Sequence, residues 1–524
     1  MGKEAIHDEK YEVDQMTDVA PESNLAAEQQ GLKRDLRLRH MIMIAVSGTI
    51  GTGLFLTSGT TIATAGPGGA LLAYSMIGLW LVFVCQAIGE IATLLPLPGA
   101  FNAWGGRVFD EAFSFQMTWM YFINWALTIP AELAASAVII SFWLPEGSTF
   151  PPWVVPVIII LIMVLINITG VKAYGEIEYW LSILKVATII MFIICGILVD
   201  AGVIGGVTYG RFHEMTGVTA AESRNPHKHV PKAVNTVLIR IAFFYITSVF
   251  LLGSIIQNDD PQLINTSKSA AKAPFTLVFA KAGINAAADF MNAVVFTSVF
   301  SAINSDFYVA TRMLLSLSRN GWAHKSIGYT NSRGVPLVAL AIVTACSCLS
   351  LVTIFVGSGV VFSWFVSIIG SIIFQSWILI LLLHFRFRYC WKKQGRAVSE
   401  LPYVSWGYPY GNIIATIIGV CCIIATCYLS VINPPEHPGD AATPEALKLY
   451  QEARDGYAQG LLGAWFPWAM SACLFFGYKF TNKTKLIKAE EADLDTGRFI
   501  PTESDLKDLE VTGPRWKRII KFLI

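Results

Sequence analysis

Residues 41–55 read Met41-Ile-Met-Ile-Ala-Val-Ser47-Gly48-Thr49-Ile50-Gly51-Thr52-Gly53-Leu54-Phe55. The stretch begins an apolar segment, yet three glycines, two threonines and a serine fall within seven residues of it. Glycine inside a helix costs about 1 kcal/mol relative to alanine. Either these small residues form a packing face against a neighbouring helix, or the helix unwinds and exposes backbone N–H and C=O groups to a cavity.

The composition indicates that this segment belongs to a polytopic membrane protein. Of 524 residues, 54% are apolar and 14% are charged, whereas soluble domains carry about 25% charged residues. Lysine and arginine (38) nearly balance aspartate and glutamate (37), so the charge indicates no nucleic-acid partner. The nine cysteines lie in or beside apolar runs, without the spacing of a zinc or redox site. We expect no metal, no cofactor and no enzyme activity.

Eleven apolar segments are long enough to cross a bilayer, for which about 20 residues are needed. They lie at 41–64, 70–95, 112–142, 153–170, 177–199, 233–257, 276–303, 336–356, 361–385, 408–432 and 460–480. All are predicted to be helices, because open strands cannot satisfy their backbone in lipid. We therefore divide the chain into a disordered cytosolic N-tail (1–40), a transmembrane domain (41–482) and a cytosolic C-tail (483–524).

Lysine and arginine mark the cytosolic ends of membrane spans, and here they conflict with the number of spans. Basic residues precede the first span and follow the last one, so both termini are predicted to be cytosolic, which requires an even number of crossings. When the spans are assigned alternating directions from each terminus, the two assignments disagree between residues 200 and 224. The only apolar material there, Val203 to Ala221, carries Arg211, His213 and Glu214 at its middle and is a poor span.

Several motifs resemble those of the fungal amino acid permeases, within the amino acid-polyamine-organocation superfamily. The first is the glycine-rich stretch from Ser47 to Phe55. The others follow in the family's order: Gly89-Glu90-Ile-Ala with Leu97-Pro98-Gly99-Ala-Phe101, Pro130-Ala-Glu132-Leu133, Ala221-Glu222-Ser-Arg-Asn225-Pro226, Asn258-Asp-Asp-Pro261, and Ala310-Thr-Arg312-Met-Leu314 with Gly334-Val-Pro336. The likeness extends over roughly residues 30 to 500, about one whole permease domain.

The resemblance implies an all-α, LeuT-like fold of two inverted five-helix repeats plus two further helices, with the substrate at the midplane where helices 1 and 6 are broken. It also implies a proton-coupled importer. By matching motif, backbone amides of Thr49, Ile50, Gly51, Thr52 and Gly53 would hold the substrate carboxylate. Ser47 and Gly48 would lie near its ammonium group.

One departure from the family coincides with the conflict in span number. The segment Glu214-Met-Thr-Gly-Val-Thr-Ala-Ala-Glu222 matches the second half of the family's helix 6, but Arg211-Phe212-His213 stands where the helix should break. Two independent arguments thus predict that helix 6 is incomplete within residues 200–224. A deletion, such as a splice variant or gene-model error, is preferred to an unusual short helix.

Two ionisable residues within predicted spans are candidates for proton coupling, because charges in a membrane interior are expensive. Glu132 follows Pro130 in the third span; its structural alternative is a bond to backbone groups that the proline frees. Lys185 lies in the fifth span, where a lysine of this superfamily can replace a sodium ion. Its alternative is snorkelling to the cytosolic interface.

Other polar residues are expected to be structural. Glu90 sits near the end of the second span, which favours an interfacial role over the proton path. Asp306 and Arg312 are expected to brace a cytosolic loop with Asn304 and Tyr308, and Glu214 has lost the neighbours of its family position.

The predicted function is amino acid transport, with proton-coupled import across the plasma membrane and a cytosolic N-terminus. The alternative is a transport-deficient isoform or a receptor-like scaffold. The expected partners are the amino acid, protons, the lipid bilayer and ubiquitin ligases acting on N-tail lysines such as Lys3, Lys10 and Lys33. Residues 515–524 mix basic and apolar side chains that suit anionic lipid.

Overall fold

The computed structural model describes residues 51–96, 101–145, 148–169, 171–200, 241–256, 260, 273–331, 334–432, 434–435 and 444–498. Within these ranges all regular structure is helical, as predicted for a chain whose backbone must satisfy its own hydrogen bonds in lipid.

The α-helices are numbered in chain order. They are α1 (Ser58–Leu94), α2 (Phe101–Val108), α3 (Glu111–Ile140), α4 (Val154–Thr169), α5 (Val171–Asp200), α6 (Thr247–Ile255), α7 (Pro274–Lys281), α8 (Asn285–Arg319), α9 (Leu337–Ser347), α10 (Ser358–Lys393), α11 (Tyr410–Val431) and α12 (Pro444–Asn482). A 3-10 turn (Cys348–Val352) and a last α-helical turn (Thr353–Val356) extend α9. Two π-helical turns, Gly53–Thr57 and Ile241–Ile246, lead into α1 and α6.

Helix α1 contains a break that separates the first two predicted spans. Gly66 has φ 70° and ψ 168° inside the helix, and Pro67 follows it. Only glycine adopts this backbone conformation at low cost, and proline cannot donate the helical hydrogen bond. The break falls between the predicted segments 41–64 and 70–95, which the structure joins in one helical segment.

Eight helical segments of the described chain are long and apolar enough to cross a membrane. They are Gly53–Leu94, Glu111–Trp143, Tyr174–Val199, Asn285–Arg319, Leu337–Val356, Ser358–Lys393, Tyr410–Val431 and Ala453–Asn482. Two shorter apolar helices, Val154–Thr169 and Phe243–Ile255, correspond to the predicted spans at 153–170 and 233–257. The count is lower than eleven because these two are short and because the first segment includes the Gly66 break. Ile413, Ile417 and Ile424 of α11 expose their side chains, as expected of a helix that faces lipid.

Helix α3 is the central element of the bundle. It packs most extensively against α8 and α10, and it also contacts α2, α4, α9 and α12. Its middle carries the buried small residues Ala131, Ala134, Ala135, Ser136 and Ala137. Small side chains let neighbouring helix backbones approach closely, which explains why one helix can contact so many others.

Asp110 fixes the start of α3. Its side chain accepts a hydrogen bond from the Ala112 amide at 3.0 Å, and it forms an ion pair with Lys479 of α12. Burial raises the pKa of the Asp110 carboxyl, but the bonds from Lys479 and Ala112 outweigh burial and lower it overall. Asp110 is therefore ionised at neutral pH and stabilises the positive end of the helix dipole.

Residues 483–498 pack onto the ends of α2 and α10. The Ile487 amide donates to the Phe109 carbonyl at 2.8 Å, and Gln394 donates to the Ala492 carbonyl at 2.7 Å. Leu494 is completely buried, together with Ala489 and Ala492. The first part of the predicted C-tail thus continues the folded domain beyond residue 482.

Candidate functional site

The glycine-rich stretch leads into an irregular helix. Gly53–Thr57 forms a π-helical turn rather than α-helix, and the amides of Leu54 and Phe55 both donate to the Gly51 carbonyl, at 3.2 and 3.3 Å. Such turns occur often at functional sites. Of the predicted substrate-binding residues, Gly51, Thr52 and Gly53 are described, whereas Ser47, Gly48, Thr49 and Ile50 lie outside the described residues.

Thr52 contacts Glu132, although 80 positions separate them. The Thr52 hydroxyl donates a hydrogen bond of 2.5 Å to Glu132 Oε1, and both side chains are buried. Glu132 Oε2 has no hydrogen-bond partner among the described residues. The structure thus joins a residue of the predicted substrate stretch to a predicted proton-coupling residue. Glu132 Oε1 accepts its hydrogen bond from a side chain, whereas the structural alternative expected a bond to backbone freed by Pro130.

Lys185 lies in the interior and not at the membrane interface. It is 2% exposed, and its Nζ atom lies 3.9 Å from Glu178 Oε1 on the same helix. The Ser301 hydroxyl of α8 donates a hydrogen bond of 2.6 Å to that same oxygen. The alternative in which Lys185 snorkels to the interface is therefore wrong, because packing of α5 against α8 encloses its ammonium group.

Asp306 belongs to the same buried group. It is 4% exposed, and Lys185 interacts electrostatically with Glu178, Glu132 and Asp306. Asp306 was expected to brace a cytosolic loop, whereas the structure buries it and gives its Oδ2 atom no hydrogen-bond partner among the described residues. In their charged states the four residues would carry three negative charges and one positive charge, an arrangement that attracts protons or other cations in a low-dielectric interior.

Aromatic side chains flank the start of α1. The rings of Phe55 and Phe275 meet edge to face with centroids 5.0 Å apart, and Phe192 packs on Phe275 at 4.2 Å. All three side chains are fully buried. These three aromatic side chains lower the local dielectric constant, which strengthens the electrostatic interactions nearby.

Glu90 is part of a separate buried cluster. Its carboxylate forms an ion pair with Arg388 of α10, with Nη2 donating to Oε2 at 2.8 Å, and it accepts from the Ser405 amide at 2.7 Å. His384 Nε2 lies 3.0 Å from the same carboxylate, and His384 Nδ1 lies 2.6 Å from Asn412 Nδ2 of α11. These bonds tie α1, α10 and α11 together, which agrees with a structural role for Glu90.

Tyr308 and Arg312 form a stack at the end of α8. The Arg312 guanidinium lies 3.3 Å from the Tyr308 ring centroid, and Tyr308 stacks on Tyr174 of α5 at 4.1 Å. The Tyr174 and Ser305 hydroxyls lie 3.3 Å apart. Asn304, four residues before Tyr308 on the same helix, is fully buried.

The remaining predictions concern the cysteines, metal binding and helix 6. All nine cysteines are free thiols, and no group of three or more His, Cys, Asp or Glu side chains in the described ranges could hold a metal ion. The segment in which helix 6 is predicted to be incomplete, with Glu214, lies outside the described residues, and so does the conflict in span number.

Sequence reasoning missed Glu178, His384 and Arg388. For Glu178 a signal existed, because it lies seven residues before Lys185 and therefore on the same helix face, two turns away. His384 and Arg388 are four residues apart on one face of α10, but their partner Glu90 is about 300 positions away in the chain. Only packing brings them together.

Membrane-length helices around a buried cluster of carboxylates and one lysine define a polytopic membrane transporter. The chain belongs to the amino acid permease family, whose model matches residues 40–213 and 211–454. It is therefore an amino acid transporter and a multi-pass membrane protein. The two matched pieces meet at residues 211–213, the position of the departure from the family's helix 6.

Three relatives are similar over nearly their whole length. The lysine-specific permease LysP of Lactococcus lactis is 39% identical, covering 90% of this chain and 94% of its own. The histidine permease HisP of the same species is 38% identical, and the match covers 89% of this chain and 98% of HisP. The cationic amino acid transporter 1 of Schizosaccharomyces pombe is 32% identical, and the match covers 96% of this chain and 88% of that transporter.

Proposed function

We propose that this permease imports amino acids together with protons. The observation that carries the proposal is the bond between Thr52 and Glu132, because it joins the glycine-rich stretch to a buried carboxylate that interacts with Lys185. A carboxylate and a lysine inside a membrane protein are expensive to bury and commonly form proton relays. Substrate binding beside Thr52 would change the surroundings of Glu132 and thereby its affinity for a proton.

The substrate carboxylate would bind the amides of Thr49, Ile50, Gly51, Thr52 and Gly53, with Ser47 and Gly48 near the substrate ammonium. The irregular helix at Gly53–Thr57 supports this assignment, since an α-helix that begins in the bundle leaves its first amides free for an anion. The small residues leave room for the substrate to approach the backbone.

Basic amino acids are the substrate class that the charges favour. Three buried carboxylates interact with one lysine, so a cationic side chain would reduce the excess negative charge. The names of the relatives, which include a lysine-specific permease and a cationic amino acid transporter, support the same class.

The test is uptake of radiolabelled L-lysine by the 524-residue chain as external pH varies. We expect uptake to rise with external acidity, and Glu132→Gln and Lys185→Met each to weaken this dependence, because each removes a protonatable group. Glu490→Gln and Lys485→Met repeat the two changes at exposed side chains and should behave like the unmodified chain. An unchanged pH profile in both interior variants would contradict proton coupling through this pair.

A transport-deficient isoform is the second candidate. The observation that favours it is the division of the family match at residues 211–213, where the sequence predicts that part of helix 6 is missing. Loss of that half-helix would remove the gating residues and half of the ammonium site. Binding of radiolabelled lysine without uptake by the unmodified chain would support this candidate over the first.

We place the permease in the plasma membrane with a cytosolic N-terminus, on the basis of the lysines and arginines beside the first and last spans. The N-tail (1–40) and the transmembrane domain (41–482) belong to the same proposal, and so does a cytosolic C-terminal region (483–524) whose first part, residues 483–498, packs onto the bundle. Lys3, Lys10 and Lys33 would be accessible to ubiquitin ligases, and substitution of all three by arginine should slow removal from the cell surface.

A further inference from the structure

The interface between α5 and α8 carries polar groups in two facing rows. On α5, Tyr174, Glu178 and Lys185 recur at spacings of four and seven residues, which places them on one helix face. On α8, Ser301, Ser305 and Tyr308 contact this face, and Arg312 stacks on Tyr308. The two rows are joined by contacts from the buried centre of the bundle towards the end of α8 that is predicted to be cytosolic.

We infer that Glu178 accepts the proton of Lys185 and passes it along the α5–α8 interface to the cytosol. This inference rests on the proposed function, since it adds an exit route to a proton-coupled transporter. Glu178 was not among the residues expected from the sequence to take part.

Glu178 is positioned to act as this acceptor. It is 1% exposed, and its Oε1 atom lies 3.9 Å from Lys185 Nζ while accepting a bond from Ser301. Its Oε2 atom has no hydrogen-bond partner among the described residues. A buried carboxylate oxygen without a partner is costly, and a proton on it removes most of that cost by neutralising the group.

The transfer involves one proton and no change in the net charge of the pair. The Lys185 ammonium loses a proton and becomes an amine, while the Glu178 carboxylate gains it and becomes a carboxylic acid. Since 3.9 Å exceeds hydrogen-bond length, the transfer needs a side-chain rotation or one bridging water. Glu178 then releases the proton to water entering the pocket that Tyr174, Tyr308 and Arg312 line, and returns to a carboxylate.

The charged and polar groups around Glu178 define the route. Asp306 of α8 interacts electrostatically with Glu178, and both Asp306 and Glu132 of α3 interact with Lys185. On α5 itself, Lys172 and Glu176 are the charged residues that precede Glu178. Helices α4 and α6 also pack against α5 but contribute no charged side chain in their described ranges. Beyond Glu178, the Tyr174 and Ser305 hydroxyls and the Tyr308–Arg312 stack continue the polar row to the end of α8.

The experiment reconstitutes the 524-residue chain in liposomes and measures two activities with radiolabelled L-lysine. One is uptake driven by a pH gradient, which needs proton release, and the other is lysine exchange at equal pH on both sides, which does not. We expect Glu178→Gln to reduce gradient-driven uptake by about a hundredfold, the lower range for loss of a positioned proton-transfer group, while exchange persists. Glu178→Asp should restore part of the driven uptake, because it keeps a carboxylate.

Glu176→Gln is the matched control, since it makes the same change two residues away on another face of α5. A purely structural role for Glu178 predicts that driven uptake and exchange fall together, and that result would overturn the inference. Equal driven uptake in Glu178→Gln and the unmodified chain would also overturn it. If the unmodified chain shows neither activity, the proposed function fails and the exit route fails with it.

Infrared difference spectroscopy gives a readout that does not depend on transport. Acidification of the reconstituted chain should produce the carbonyl band of a protonated carboxylic acid, and Glu178→Gln should remove one component of that band. An identical band in both proteins would mean that Glu178 takes up no proton, which contradicts the inference directly.

Discussion

Gly51 and Gly53 illustrate what single residues do in this permease. A Cβ atom added at either position would have no neighbour within 4 Å among the described residues. No described side chain fills the space beside them, which fits backbone that faces a cavity better than a tight packing face against the described helices. Glycine keeps the backbone accessible to a ligand, because it has no side chain of its own.

We predict that Gly51→Leu and Gly53→Leu abolish lysine uptake without removing the protein from the membrane. The leucine side chain would occupy the space assigned to the substrate carboxylate, and the open surroundings allow it without a clash with the fold. Uptake and surface expression are measured in the same cells. Gly477→Leu is the control, since an added Cβ there is also unobstructed but lies on α12, at an exposed position. Normal uptake by either site variant would refute the assignment of this stretch.

At the scale of elements, the chain after α12 is held by specific contacts with the helices. Arg396 donates to Asp495 Oδ1 at 2.7 Å, and this hydrogen bond holds the pKa of the Asp495 carboxyl below its usual value. Asp495 is largely exposed, so this ion pair contributes little to stability. Burial of Leu494 among α2 and α10 side chains such as Trp104 and Trp391 contributes more.

Leu494→Ala is therefore predicted to release residues 483–498 from the bundle. Loss of a fully buried leucine costs about 2 to 5 kcal/mol, which is large for so short a segment. Hydrogen exchange at the Ile487 amide, which is bonded to Phe109, should accelerate in this variant. Leu486→Ala changes an exposed leucine in the same segment and should leave exchange unaffected. Equal protection in the two variants would show that Leu494 does not anchor the segment.

At the scale of the whole molecule, the number of membrane crossings depends on the segment between residues 200 and 241. The segment from Val203 to Ala221 carries three polar residues whose insertion costs about 5 to 10 kcal/mol. Six downstream spans with basic cytosolic ends oppose inversion of the rest of the chain. We expect this segment to be forced across the membrane or to lie re-entrant against the bundle.

This topology predicts an outward Asn265 and a cytosolic Gly321. Asn265 begins the glycosylation sequon Asn265-Thr-Ser267, so it should carry a glycan that a glycosidase removes. An epitope inserted at Gly321 should be protected from external protease in intact cells. Substitution of Asn265 by glutamine supplies the unglycosylated control. An accessible epitope together with an unmodified Asn265 would mean that the chain inverts after residue 200.

The sequence by itself determined the class of protein, its all-helical character, and the location of Glu132 and Lys185 within apolar helices. These features follow from local patterns, because apolar length, charge and glycine content act within one segment. Tertiary structure decided which residues meet: Thr52 with Glu132, Ser301 with Glu178, and Glu90 with Arg388. Helical periodicity assigns a residue to a face but not to a neighbouring helix, and the pairing of buried polar groups depends on which helices pack together.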